Sequence, residues 1–359
     1  MSHRGRFSCD ILFIFGHILY FLEVIFLKKL GNQSICFDNP PTILECASIV
    51  GPKEAQGPLA KYFDQTLDDE FWGEKTWEKA ESKIIKETVN TVISKSGVPS
   101  DKIDCLFAGD LLNQCISSSF GLRELNIPFF GVFGACSTFV ESMSLGAICV
   151  EGFAENVLCA TSSHFCSAEK QFRFPLELGN QRPPSSQWTV TGSGAVILSK
   201  SGTGPYITHI TPGKIVDMGI KDGNNMGAAM APAFADTLIA HFEDTGRNPS
   251  YYDAIISGDL GYIGKEIVID ILKSKGYNIK SNYNDCGVLI FDKNAQDTHS
   301  GGSGCACCGT VFSGYFFKQL KERKIKKMLL IATGALMNST TSQQGESIPG
   351  IAHAISIEV

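Results

Sequence analysis

Apolar residues recur along this chain at two different spacings, and these spacings predict an alternation of strands and helices. Over residues 78–94, and again over residues 232–242, apolar side chains return every three or four positions, as on one face of a helix. Compact apolar runs such as Val157-Leu158-Cys159 and Leu329-Leu330-Ile331 predict buried strands. Residues 162–184, rich in polar and aromatic side chains, predict an irregular segment. Strands that alternate with helices indicate an α/β protein.

One strand-loop-helix unit occurs twice in the chain. The interval between Cys136 and Thr161 equals the interval between Cys308 and Thr333. Upstream of these positions, residues 104–111 (DCLFAGDL) are echoed by residues 253–260 (DAIISGDL). Such repetition indicates a duplicated α/β unit. We therefore predict two halves, residues 28–203 and 204–359, whose equivalent helices pack together between two sheets and whose loops converge at the junction.

Composition and charge restrict the class of protein. The chain has 359 residues, of which 43% are hydrophobic, so it can bury a large core. Its formal net charge of −6 gives no overall positive field for nucleic acid, and an anionic ligand would need a local positive pocket. The thirteen cysteines lie in a large, apolar chain, which favours reduced, buried thiols. Cys305 and Cys308 form a lone C-x-x-C without a second pair or a nearby His, so we expect no metal site.

Residues 1–27 form an apolar extension that differs from the rest of the chain. Ile11 to Leu27 is almost uninterrupted in its apolar character, with charged residues on both sides. The run is short of the roughly 20 residues that a membrane-spanning helix needs. Two interpretations stay open: a segment that associates with the membrane surface, and a start codon assigned too far upstream. Elsewhere we expect a soluble chain, because no other stretch is long and apolar enough to span a bilayer.

Cys136 is the strongest candidate for a functional side chain. It lies between a predicted strand and a predicted helix, where Gly134 and Ala135 allow close approach and Ser137 and Thr138 can cap. The N-terminus of a helix offers free N–H groups and partial positive charge, which can stabilise a thiolate or bind a carboxylate. The alternative is a buried structural cysteine.

These residues carry a resemblance to a known family. The sequence Gly134-Ala135-Cys136-Ser137-Thr138 inside a duplicated half resembles the thiolase and ketoacyl-synthase superfamily. Residues 108–114 (AGDLLNQ), 160–164 (ATSSH), 171–175 (QFRFP), 230–233 (MAPA) and 301–307 (GGSGCAC) are similar to motifs of the stage V sporulation protein AD family. The resemblance extends from about Gly31 to the last residue. It implies a thiolase-like fold, with two pseudo-duplicated halves packed as a five-layer αβαβα sandwich.

The resemblance also implies a function. It suggests binding of dipicolinic acid (pyridine-2,6-dicarboxylate), as the free acid or its calcium chelate, for uptake into the developing spore. It further implies peripheral association with the spore inner membrane, other stage V sporulation A proteins as partners, and a homodimer. No cofactor is expected. Catalytic thiolases carry a His in the second-half loop and a second cysteine near Thr333, whereas the loop here reads Ser303-Gly304-Cys305. The alternative function is acyl transfer through Cys136, as in thiolases and ketoacyl synthases.

A planar dianion needs donors at two edges and an apolar face, and residues 162–182 contain suitable side chains. Arg173 can bind a carboxylate with two parallel hydrogen bonds, His164 can donate one, and Phe172 or Phe174 can flank a ring. The alternative for Arg173 is an ion pair with Glu169 or Glu177, and for His164 a structural hydrogen bond within the loop.

Several further positions complete the predicted ligand site. Asp110 can form a polar wall of the pocket or cap the following helix, and for its counterpart Asp259 we favour capping. Ser303 and Cys305 are expected to face Cys136 across the junction, where neighbouring glycines would let backbone N–H groups approach an anion. The predicted ligand-binding residues are Asp110, Asn113, Gln114, Cys136, Ser137, Thr138, His164, Arg173, Ser303 and Cys305.

Overall fold

The computed structural model describes residues 28–172 and 182–359. The strands are β1 Lys28–Leu30, β2 Ser34–Cys36, β3 Thr42–Val50, β4 Gln65–Thr66, β5 Cys105–Gly109, β6 Phe129–Gly131, β7 Asn156–Ser163, β8 Trp188–Thr189, β9 Gly192–Ser199, β10 Tyr206–Thr211, β11 Ala254–Ser257, β12 Tyr283–Asp285, β13 Gly302–Ser303, β14 Lys327–Ala335 and β15 Gly350–Glu358. The helices are α1 Trp77–Ser96, α2 Ile116–Leu122, α3 Thr138–Gly152, α4 Phe165–Phe172, α5 Met226–Thr245, α6 Gly261–Ser274, α7 Cys286–Leu289, α8 Cys305–Val311, α9 Phe317–Lys321 and α10 Ser339–Gln343.

The strand order shows the duplication directly. The main sheet runs β12-β11-β14-β15-β10-β3-β9-β7-β5-β6. In its first half the order is β3-β9-β7-β5-β6, and in the second half the corresponding strands β10-β15-β14-β11-β12 repeat the same order. The halves meet where β10 and β3 pair through Tyr206 and Thr42. Within each half, the outer strands pair in parallel, as β7-β5-β6 and β14-β11-β12 do.

The helices form three layers around the two half-sheets. Helix α3 packs against β5 and β7 on one side and against β14 and β15 on the other, while α8 contacts β7 and β9. A π-helical turn, Phe312–Phe316, continues α8 into α9. Helices α1 and α2 cover the outside of the first half, and α5 and α6 cover the second. The predicted five-layer αβαβα sandwich is thereby confirmed, as is the thiolase-like fold through the structural neighbours described below.

Small residues set the spacing of the central layer. A Cβ atom added to Gly194 of β9 would lie 2.3 Å from the carbonyl carbon of Gly309 in α8. That distance is closer than Cβ atoms approach backbone, so the helix can lie this close to the strand only because Gly194 lacks a side chain. Phe139 of α3 and Phe312 fill the remaining space, with ring centroids 5.8 Å apart.

Two sequence predictions need correction. Residues 165–172, inside the stretch predicted to be irregular, form helix α4. Two turns are too few for a periodic pattern to stand out among polar and aromatic residues. The helix predicted over 232–242 begins earlier, at Met226, where the Asn225 side chain accepts a hydrogen bond from the Ala228 N–H. Among the residues described here, no helix is both long and apolar enough to cross a bilayer.

Candidate functional site

The backbone around Cys136 forms a tight turn between β6 and α3. Ala135 has a φ of 50°, a left-handed conformation that residues other than glycine adopt at a cost. The Ser137 hydroxyl donates to the Gly134 carbonyl at 2.7 Å, and the Thr138 hydroxyl donates to the Ala135 carbonyl at 2.6 Å. Both side chains are therefore engaged in holding the turn that presents Cys136.

The second half of the chain contributes a polar cluster to Cys136. The Ser303 Oγ lies 3.7 Å from Cys136 Sγ and donates to Asp259 Oδ2 at 3.0 Å. The Thr333 hydroxyl donates to the other oxygen, Oδ1, at 2.7 Å. Gln187 fixes the loop by donating to the Asp259 carbonyl at 2.6 Å. The expected convergence of the two halves thus occurs at Cys136, with a carboxyl group at its centre.

This environment opposes ionisation of the thiol. Burial first, and then the charge of Asp259, raise the pKa of Cys136 well above its usual value, while Ser303 and the Gly304 N–H lower it. Burial raises the pKa of Asp259 to about 7, although hydrogen bonds from Thr333, Cys136 and Ser303 act to lower it. A thiol in this setting is protonated at neutral pH. The fraction present as thiolate, the nucleophilic form, is therefore small at neutral pH.

A cavity opens beside Cys136 at the junction of the halves. Phe133 and Phe172 provide its aromatic walls. The other lining residues are Leu111, Ala135, Cys136, Ala168, Glu169, Thr189, Met226, Ser303, Gly304, Ala335 and Met337. Within the described parts of the chain, no Lys, Arg or His lines this cavity. The cavity is therefore mainly apolar, with thiol, hydroxyl and carboxyl groups on its inner surface.

The two equivalent aspartates differ in role, and the sequence prediction for Asp259 was wrong. Asp110 accepts hydrogen bonds from the N–H groups of Leu112 and Ser118 at 2.9 and 2.8 Å, so it anchors the following helix. Asp259 instead accepts from the side chains of the Cys136 cluster. Its expected capping role belongs to Asp285, which accepts from Leu260 N and Gly261 N at the start of α6. A residue distant in sequence thus replaced the local cap that the repeated motif suggested.

Other predicted site residues lie around the cavity without lining it. The backbone N–H of Asn113 donates to Gln171 Oε1 at 2.9 Å, and Gln171 Nε2 donates to the Leu111 carbonyl at 2.9 Å. These bonds tie the loop containing Asn113 and Gln114 to α4. The Cys305 thiol donates to the Ser162 carbonyl at 2.9 Å and packs in the same apolar cluster as Cys136.

His164 is placed differently from the prediction. Its ring is buried, with Nε2 at 2.8 Å from the Glu70 carbonyl and Nδ1 accepting from the Cys166 N–H at 3.2 Å. Burial lowers the pKa of His164, so the ring is neutral at pH 7 and Nε2 carries the proton. Both nitrogens serve the backbone, which is the structural role left open above. Arg173, also predicted to bind the ligand, lies outside the described residues.

The sequence interpretation missed several members of the site. Thr333 was noted only as a substitute for a second cysteine, and neither its bond to Asp259 nor the role of Gln187 was anticipated. Phe133, Thr189, Met226 and Met337 were not predicted as lining residues. Repetition of Gly-Asp-Leu at residues 109–111 and 258–260 was the available signal for Asp259. It did not indicate that the side chains turn in different directions.

Comparison with known proteins identifies the family. Residues 31–358 match the family model for stage V sporulation protein AD. A curated relative, stage V sporulation protein AD of Bacillus subtilis (strain 168), is 45% identical over 333 residues, covering 92% of this chain and 98% of the relative. The chain belongs to the stage V sporulation protein AD family. The family resemblance inferred from short motifs is therefore confirmed over nearly the whole length.

Solved structures place this stage V sporulation protein AD family member on the thiolase-like scaffold. A 3-oxoacyl-[acyl-carrier-protein] synthase III from Aquifex aeolicus has a TM-score of 0.55 at 12% identity, covering 89% of this chain and 100% of the other. A single-residue variant of Xanthomonas campestris OleA has a TM-score of 0.58 at 14% identity, covering 92% of this chain and 100% of the other. At such low identity these matches show the fold alone.

Proposed function

We propose that this protein binds dipicolinate in the cavity beside Cys136, for uptake of that compound into the developing spore. Its membership in a sporulation family supports the biological setting. The cavity has aromatic walls, Phe133 and Phe172, suited to a flat ring. Ser303 and Gly304 also line the cavity, and the Gly304 N–H can donate to a carboxylate. The Ser303 hydroxyl can do so when a protonated Asp259 donates to it in turn.

The observation that carries the proposal is the hydrogen-bonded carboxyl group of Asp259 next to Cys136. Condensing chemistry needs a thiolate and a group that assists it. Here burial first, and the charge of Asp259 second, raise the pKa of the Cys136 thiol. Ser303 and Thr333 donate to the Asp259 carboxyl group, which itself retains its proton up to about pH 7. A protonated Asp259 can donate a hydrogen bond to Ser303, which lines the cavity and can then donate to a ligand carboxylate. The same groups that hinder acylation thus favour non-covalent binding of an acid.

The dianion also needs a positive charge, and the proposal assigns this to Arg173. Since no basic side chain lines the described part of the cavity, the required cation has to come from another residue. Arg173 follows the lining residue Phe172 directly in the chain. A guanidinium group matches a carboxylate with two parallel hydrogen bonds, which gives orientation as well as affinity. His164 is not part of this proposal, because its ring nitrogens contact the backbone.

Isothermal titration calorimetry of the folded full-length protein tests the proposal. Dipicolinate should bind with one site per chain, and Arg173→Ala should weaken binding by about tenfold or more, the usual loss for a charged hydrogen-bonding pair. Lys170→Ala is the matched control, because exposed Lys170 lies on α4, just before Arg173 in the chain, and pairs with Glu78 at 2.8 Å. Titration with isophthalate tests whether binding needs the ring nitrogen, and titration with picolinate tests whether it needs the second carboxylate. Added calcium tests whether the protein binds the calcium chelate. Absence of heat with the folded protein would exclude the proposal.

Acyl transfer is the alternative, and the thiol decides between the two. Incubation with an acyl-coenzyme A thioester would then add the acyl mass to Cys136, detectable on the intact protein. The protonated thiol beside Asp259 predicts no such adduct.

A third possibility is an assembly role that needs no ligand. In that case spores containing the Cys136→Ala and Arg173→Ala double variant would hold normal dipicolinate, whereas our proposal predicts a loss.

We also propose a homodimer that associates peripherally with the spore inner membrane, together with other stage V sporulation A proteins. Strand β6 supports the dimer, because it ends the main sheet and carries Phe129 and Phe130, both exposed. An exposed apolar edge strand is a surface that pairs with another chain. Light scattering should show a dimer for the wild-type protein and a monomer for Phe130→Lys. Phe153→Lys, a change at the end of α3, is the control and should leave the dimer intact. A monomeric wild-type protein would contradict the dimer, and spore fractionation tests the membrane association.

A further inference from the structure

Two cations share one face of Trp188, on the opposite side of β8 from the Cys136 cavity. The Phe165 ring stacks on the indole with centroids 3.6 Å apart and planes 4° from parallel. Lys53 Nζ lies 3.8 Å from the Trp188 ring centroid, and Arg182 Cζ lies 4.8 Å from it. Because Phe165 covers one face, Lys53 and Arg182 lie over the other. Neighbouring Thr189 lines the Cys136 cavity, and successive strand side chains point in opposite directions, so this cluster is separate from that cavity.

The protein supplies little negative charge to balance this pair. Arg182 Nη2 contacts Asp297 Oδ2 at 3.1 Å, but the Asp297 side chain is 74% exposed and also pairs with His299 at 2.9 Å. Arg182 Nη1 is buried without a hydrogen-bond partner. Within residues 28–172 and 182–359, Lys53 Nζ has a ring contact but no hydrogen bond or ion pair.

The carboxyl group next to Lys53 in the chain, that of Glu54, carries little charge at neutral pH. Burial raises the pKa of Glu54 to about 8, so its carboxyl group is mainly protonated at pH 7. Burial also raises the pKa of Glu70. Burial, followed by the charge of Arg182, lowers the pKa of Lys53, as expected for a cation held near a second cation. Two like charges on one ring, with a buried N–H lacking an acceptor, describe a site that an anion would complete.

We propose that Lys53 and Arg182 together bind one oxoanion group, a phosphate or a carboxylate, on the side of Trp188 opposite Phe165. The guanidinium Nη1 would donate a hydrogen bond to one oxygen and the Lys53 ammonium to another. The anion removes the repulsion between the two cations, and the indole holds both at a fixed separation. This site is independent of the dipicolinate proposal, since it shares no residue with the Cys136 cavity.

Tryptophan fluorescence provides a direct test, because the chain has three tryptophans and Trp72→Phe with Trp77→Phe leaves Trp188 as the only reporter. Potassium phosphate and potassium acetate are titrated separately, with potassium chloride keeping the ionic strength constant. We expect a saturable change in Trp188 emission. Lys53→Met or Arg182→Met should raise the dissociation constant about tenfold or more, through loss of a charge-assisted bond.

The matched control is Lys61→Met, since exposed Lys61 also lies over an aromatic ring, but that ring is Tyr62, at 5.3 Å, and not Trp188. It should leave the titration unchanged. Saturation by phosphate alone, acetate alone or both supports the site and assigns its preference. The proposal would be overturned if neither anion altered the Trp188 emission. It would also be overturned if both folded variants bound the anion with the wild-type dissociation constant. Circular dichroism melting establishes that each variant is folded. If Arg182→Met does not fold, Arg182→Lys replaces it in the titration.

Discussion

Replacing Asp259 by Asn should make Cys136 more reactive. Asp259 and the thiol are bridged by Ser303, whose Oγ lies 3.7 Å from Sγ and 3.0 Å from Oδ2. For a charge separation of about 5 Å and an effective dielectric of about 20, repulsion between carboxylate and thiolate is about 3 kcal/mol. This corresponds to about two pKa units. The thiolate fraction at pH 8 would therefore rise about a hundredfold in Asp259→Asn.

The rate of alkylation should rise less than the thiolate fraction, because a thiolate becomes a weaker nucleophile as its pKa falls. With the usual dependence of thiol reactivity on basicity, the net gain is about tenfold. The assay follows iodoacetamide labelling of the Cys136 peptide by mass spectrometry at pH 8, above the pKa of about 7 of Asp259. Partly exposed Cys36, whose pKa is unaffected by Asp259, is the internal reference for intact folding.

The pH dependence provides the check on mechanism. Below pH 7 the wild-type Asp259 becomes protonated, so the difference between wild type and Asp259→Asn should shrink. Equal labelling rates for Cys136 at pH 8, with Cys36 unchanged, would refute the reasoning. A constant ratio from pH 5.5 to pH 8 would show that the carboxylate charge is not the cause.

Three further predictions concern stability. The pKa of Glu54 rises from 4.5 in the unfolded chain to about 8 in the folded protein, so its contribution to folding stability is full below pH 4.5 and is lost as the pH rises towards 8. Glu54→Gln should therefore flatten the fall in melting temperature from pH 5 to pH 8. Parallel curves for the variant and the wild type would contradict this. Thr333→Val removes the donor to Asp259 Oδ1 and should cost about 1–2 kcal/mol in urea unfolding, an unchanged midpoint being the contrary result. Gly194→Ala places a Cβ against Gly309 and should cost about 2 kcal/mol or more, whereas Gly152→Ala, with open space around it, should have little effect; equal unfolding midpoints for the two would contradict the packing argument.

The sequence predicted the architecture well because the duplication supplied long-range information. Intervals that match between Cys136 and Thr161 and between Cys308 and Thr333 indicate equivalent strands, and the observed strand order repeats accordingly. Helix α4 was missed because its two turns carry too few apolar positions to show a period. Local patterns indicated secondary structure, and repetition indicated the relation between distant elements.

The candidate site was only partly predictable, because side-chain direction depends on partners far apart in sequence. Cys136 and Ser303 were expected to meet across the junction, and they do. Asp110 and Asp259 occupy equivalent positions, yet their donors differ. Asp110 accepts from Leu112 and Ser118, which are close to it in the chain. Asp259 accepts from the hydroxyl groups of Ser303 and Thr333, which are distant in sequence. That difference arises from Thr333 and Asp285, neither of which is adjacent to Asp259 in the chain. The local motif alone could not distinguish a cap from a member of the site.

The most direct test of ligand binding is a crystal structure of the full-length protein grown with saturating dipicolinate. Our account predicts density for a flat dicarboxylate between Phe133 and Phe172, with one carboxylate within hydrogen-bonding distance of Ser303 or Gly304 and no covalent bond to Cys136. An empty Cys136 cavity with dipicolinate bound elsewhere, or a covalent adduct on Cys136, would contradict it.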